Sequence, residues 1–103
     1  MKVAVYFAKE HVANVAVIDT NCVEDALEQA WRRIQNVGGS WSRGPEFKDG
    51  TPNYDYHPSI EVIKPLEEHD GHIYGHRSAM VGDRFVVNDL SYEVAICGFE
   101  KVQ

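Results

Sequence analysis

The sequence predicts an α+β domain in which an antiparallel sheet of about five strands, in the order β-β-α-β-β-β, carries one amphipathic helix on one face. Three observations lead there: alternating apolar residues near both ends of the chain, one stretch with apolar residues at three- and four-residue spacing, and turn-forming residues between them. A single amphipathic helix has to bury its stripe, and a sheet face is the surface available.

Lys2 to Ala8 alternates, with Val3, Val5 and Phe7 on one side and Ala4 and Tyr6 on the other, as a strand requires. Val12 to Asp19 repeats the pattern, and Lys9-Glu10-His11 between the two predicts a hairpin. Asn21 is the expected helix cap, with Glu24 three residues on reaching back to it. From about Cys22 to Asn36, Val23, Ala26, Leu27, Ala30, Trp31 and Ile34 form one stripe that Val37 continues, and this spacing makes Trp31 a core residue. Glu24 and Asp25 at its start and Arg32 and Arg33 at its end suit the helix dipole, and Gly38-Gly39 stops it.

Residues 38–58 hold glycine, proline, asparagine and aspartate without a period, which predicts a long irregular loop. Ser59 to Lys64 reads as a short strand ended by Pro65, and Leu66 to Ala79 as a polar connection. Asp83 to Val102 reads as a second hairpin that sets Phe85 and Val87 against Tyr92, Val94 and Ile96 across an Asn88-Asp89 turn. Gly82 and Gly98 suit a turn and a bulge.

One domain over residues 1–103 is expected, since 103 residues leave no room for a second core. The net charge of −6 opposes a phosphate backbone, so nucleic acid is not an expected partner. No apolar run is long enough to span a bilayer. Cys22 and Cys97 lack CxxC spacing and no secretory leader is visible, so a reducing cytoplasmic setting is expected, with both thiols as small buried hydrophobes.

Three stretches carry a family resemblance: Val23-Glu24-Asp25-Ala26-Leu27 leading to Gly39-Ser40-Trp41-Ser42; Asn53-Tyr54-Asp55-Tyr56; and His76-Arg77-Ser78 to Val81-Gly82-Asp83, closing with Tyr92-Glu93-Val94 and Gly98-Phe99-Glu100. In this order they resemble small uncharacterised proteins of tailed bacteriophages, cyanophages included. The Arg-Ser-x-x-Val-Gly-Asp element is also similar to a module of YodL-like plasmid and phage proteins. The resemblance implies an accessory protein in the cytoplasm of an infected bacterium that binds a host or phage protein; separately, the chain is expected to be a monomer or a homodimer.

The residues themselves offer two candidate sites. Trp41, Phe47, Tyr54 and Tyr56 crowd the long loop beside Arg43, and aromatic and arginine side chains dominate binding hot spots. With Arg77 they are the expected partner-binding residues, the alternative being that the rings fold back into the core. His69, His72 and His76 are the set able to hold a zinc ion, although no tight ligand motif is present, so no cofactor is expected. A self-associating assembly component is the third possibility, since edge strands pair with second copies. No catalysis is expected: Ser78 has His76 nearby but no third group to orient it, no phosphate loop occurs, and the paired carboxylates sit in polar segments.

Overall fold

A computed structural model describes residues 1–102. In chain order the elements are β1 (Lys2–Phe7), β2 (Glu10–Ala16), α1 (Val23–Arg33), β3 (Ile60–Val62), β4 (Glu67–His69), β5 (His72–Tyr74), β6 (Arg84–Val87), β7 (Leu90–Ala95) and β8 (Gly98–Val102). Six strands form one sheet in the order β3-β2-β1-β6-β7-β8, every pair antiparallel, and β4 and β5 form a separate hairpin. The α+β class and the one helix agree with the sequence; the strands are more numerous than the five expected.

The first hairpin turns at Ala8-Lys9, two residues rather than the three expected, with Phe7 paired to Glu10 and Ala8 at a φ of 56°. Between Val5 and Tyr6 the register slips: Val5 faces Ala13 and Tyr6 faces His11, leaving Val12 as an extra residue. Val12 and Ala13 are both buried in consequence. The Val12 carbonyl accepts the amides of Ile63 and Lys64 at the end of β3.

Helix α1 begins after Cys22 and is shorter than the stripe suggested. Asn21 does not cap it: no side chain caps the helix, and the Thr20 hydroxyl instead accepts the Cys22 amide at 3.1 Å. Val37 lies beyond the helix and is exposed. The helix lies over β1, β2 and β6, burying Ala26, Leu27 and Ala30. Val3, Val5, Val15, Phe85 and Val87 form the opposing floor, and no described helix is long and apolar enough to cross a membrane.

The stretch read as a polar connection contains the β4–β5 hairpin, closed by Asp70 and Gly71 at φ of 53° and 79°. The C-terminal stretch is a three-stranded meander, not one hairpin. Its first turn is the expected Asn88-Asp89, at φ of 52° and 62°, values that match the twist of the flanking strands. Its second turn is Ile96-Cys97, followed by Gly98 at 89°. Ile96 therefore sits at a turn tip, 90% exposed, instead of facing Phe85 and Val87. Both cysteines are exposed, contrary to their expected burial.

Candidate functional site

The excursion at 38–58 is held against the domain by polar side chains acting on backbone. Asn53, 5% exposed, uses its whole amide: Oδ1 accepts from the backbone of Ser40 and Asp55, and Nδ2 donates to the carbonyls of Ser40 and Gly44. Asp55 Oδ2 accepts the consecutive amides of Val37, Gly38 and Gly39 at 2.7, 3.0 and 2.6 Å. Asn36 joins this segment to the 76–78 segment, accepting from the Trp41 amide and donating to the His76 carbonyl, while its own amide donates to Ser78 Oγ.

Trp41 is consequently core. It is 1% exposed, meets Phe7 edge-on at 6.0 Å, and its indole donates to the Arg77 carbonyl at 2.7 Å. This corrects its expected role as a partner-binding residue: a ring with no free face offers a partner nothing. The Gly-Ser-Trp-Ser and Arg-Ser-x-x-Val-Gly-Asp elements thus meet in space as parts of one structural joint, with Ser42 Oγ accepting the His76 amide.

Arg77 is also committed internally. Its guanidinium makes a two-pronged bond with the buried Asp83 carboxylate at 2.7 and 2.9 Å and lies 4.1 Å over the Phe7 ring. That hydrogen bond pushes Arg77 above its ordinary value, against the opposing effect of burial. Arg43 donates to the Ile73 carbonyl and Phe47 is half-buried. Of the loop candidates, Tyr54 remains open to solvent at 79% and Tyr56 is partly so.

The histidines separate. His69 and His72 face each other across the β4–β5 hairpin, whereas His76 tilts against Trp41 and its Nε2 bonds the Lys64 carbonyl. Among the described residues no three histidine, cysteine or acidic side chains draw together as metal ligands. The hydrogen bond from His69, with Lys64 nearby, holds Glu67 below the usual carboxylate range.

A different site emerges where α1 meets the end of the sheet. The helix presents Glu24, Leu27, Glu28 and Trp31, one face at i, i+3, i+4 and i+7, toward Tyr92 and Val94 of β7 and Phe99 and Lys101 of β8. Between these walls lies an open, largely apolar cleft of about 630 Å³. Phe99 is fixed by Phe85 at 5.2 Å, and the exposed Val81 and Ile96 lie at its mouth. Trp31 is half-buried here rather than enclosed in the core. The sequence contains a signal for this, since a stripe running from Val23 to Val37 is longer than one helix face needs, but the strand that completes the cleft was hidden inside an apparent hairpin.

Comparison of the chain with known protein families, with curated proteins and with solved structures yields no match.

Proposed function

We propose that the protein is a non-catalytic binding module, an accessory protein of phage type in the bacterial cytoplasm, which holds a host or phage protein in the cleft between α1 and the β7–β8 strands. One observation carries this: the cleft is walled by Leu27, Trp31, Tyr92 and Phe99 on rigid elements, yet open. Rigid aromatic surface with a charged margin, here Glu24, Glu28 and Lys101, is the composition of protein-binding hot spots. Trp31 and Tyr92 take the place that the loop aromatics held in the sequence-based expectation, with Tyr54 as the loop's exposed remainder.

The test is affinity capture from bacterial lysate with the wild-type chain and two folded variants, Trp31→Gln and Tyr54→Ser. A partner held by the wild type and by Tyr54→Ser but lost by Trp31→Gln supports the cleft. A partner that Trp31→Gln retains and Tyr54→Ser loses overturns it in favour of the loop.

A further inference from the structure

The cleft does not stand alone: one of its walls is the outermost strand of the sheet. β8 pairs with β7 on one side and has no strand on the other. The main-chain groups on its outer side are therefore open, and among the described residues no loop hydrogen bond reaches residues 98–102. The opposite edge differs. β3 is only three residues long and is flanked by Pro58 and Pro65, devices that discourage strand addition.

The charges beside the open edge are unbalanced. Glu100 faces Glu93 directly across β7–β8, on the sheet face away from the helix, because their neighbours Phe99 and Val94 face the cleft. Arg84 of β6 faces Glu93 from its other side, but Glu100 has only Glu93 across from it; like charges at directly opposed positions destabilise a sheet, and Glu100 forms no ion pair among the described residues. A strand laid along β8 would place one of its residues opposite Glu100 and the flanking pair on the cleft side. A second copy pairing symmetrically about Glu100 would set four glutamates in one row. A basic residue at that position would relieve the repulsion.

We infer that the outer edge of β8 and the adjoining cleft take an extended peptide of a partner protein as a further strand, with apolar side chains entering the cleft on either side of a lysine or arginine that faces Glu100. The inference rests on the cleft being the binding site and adds the form and sequence of what it binds. Main-chain bonding supplies affinity, the cleft selects the alternate apolar side chains, and Glu100 selects the charge between them.

Selection from a random displayed peptide library on the immobilised wild-type protein tests it, with enriched peptides then synthesised and titrated. The expected result is an apolar-basic-apolar consensus, amide protection at residues 98–102 on binding, and loss of binding when the peptide's backbone amides are N-methylated. Exchanging the central basic residue for glutamate should weaken binding at least about threefold, and Glu100→Lys should reverse that preference. Enriched peptides that tolerate N-methylation, or that lack alternation while still requiring Trp31, overturn strand addition and leave the cleft standing. No enrichment, or a dimer already protecting residues 98–102, overturns the inference outright, while the Trp31→Gln capture judges the cleft separately.

Discussion

Asn53 gives the sharpest test of whether residues 38–58 are a built part of the domain. Asn53→Ala removes four hydrogen bonds, two of them to Ser40, whose backbone is buried with it. At about 1 kcal/mol each, partly recovered by water at the exposed Gly44, the loss is about 3 kcal/mol. For a domain of this size that lowers Tm by roughly 12 to 24 °C. Asn53→Asp is nearly isosteric but brings a carboxylate oxygen against the carbonyls of Ser40 and Gly44, which now lie 2.6 and 2.8 Å from Nδ2. The new carboxyl group is buried and repelled, so its folded pKa rises above its unfolded value. The folded state then holds the proton more tightly, and stability falls as pH rises from about 4 through the folded pKa, by about 1.4 kcal/mol per unit. Thermal denaturation of both variants from pH 4 to 8 reads this out. A Tm within about 4 °C of wild type for both, with no pH slope for Asn53→Asp, would refute the ordering role given to Asn53.

Further outcomes follow from the same joint and its surroundings. Gly39→Ala puts a methyl group onto Asn53 Oδ1, and Gly75→Ala puts one 2.7 Å from Ser40 Oγ; we expect losses of about 2 to 3 and about 1 to 2 kcal/mol in denaturant titrations. Arg77→Ala strands the Asp83 carboxylate with the Met80 amide, and because the arginine is about half exposed the expected loss is about 2 kcal/mol, with Arg77→Lys recovering only part. Burial, reinforced by Arg33, lowers the pKa of His57, whose Nδ1 accepts the Ser59 amide. The unfolded chain binds that proton more readily, so stability should drop as pH falls below about 6.5 and level off below the folded pKa, a slope that His57→Gln should flatten in pH-dependent melts.

What the sequence disclosed depended on whether one face of an element is buried. β1, α1 and β6 each pair a drier face with a wetter one, so their periods were visible, whereas β2 buries Val12 to Val15 in succession around its bulge and was legible from its apolar residues. β4 and β5 are exposed on both faces, which leaves Glu67-Glu68-His69 and His72-Ile73-Tyr74 without alternation; the Asp70-Gly71 pair was the remaining signal. Ile96 misled for the opposite reason, being apolar at a turn tip, and so concealed the start of β8. The fate of Trp41 was undecidable locally, since it is fixed by a carbonyl 36 residues away. The cleft inherits both difficulties, needing β8 to be recognised and the helix to be placed off-centre on the sheet.

That placement has a geometric cause. Six strands spaced about 4.8 Å apart set the outermost axes about 24 Å from one another, whereas a helix is about 10 Å broad. α1 can cover about three strands, and it covers β2, β1 and β6. The Trp41 segment closes the Phe7 end of the same face, so the margin over β7 and β8 is left without a second helix. A margin left to water needs only polar side chains, yet this one carries Trp31, Tyr92 and Phe99. Phe99 is accounted for by its packing on the core ring of Phe85. Trp31 packs against the core on one side but makes no aromatic pair among the described residues and is only half-buried, so the rest of its ring is turned to the cleft. Its replacement by glutamine removes some core packing along with the cleft surface, so Trp31→Gln is informative when thermal melting shows the variant folded and binding is nevertheless lost.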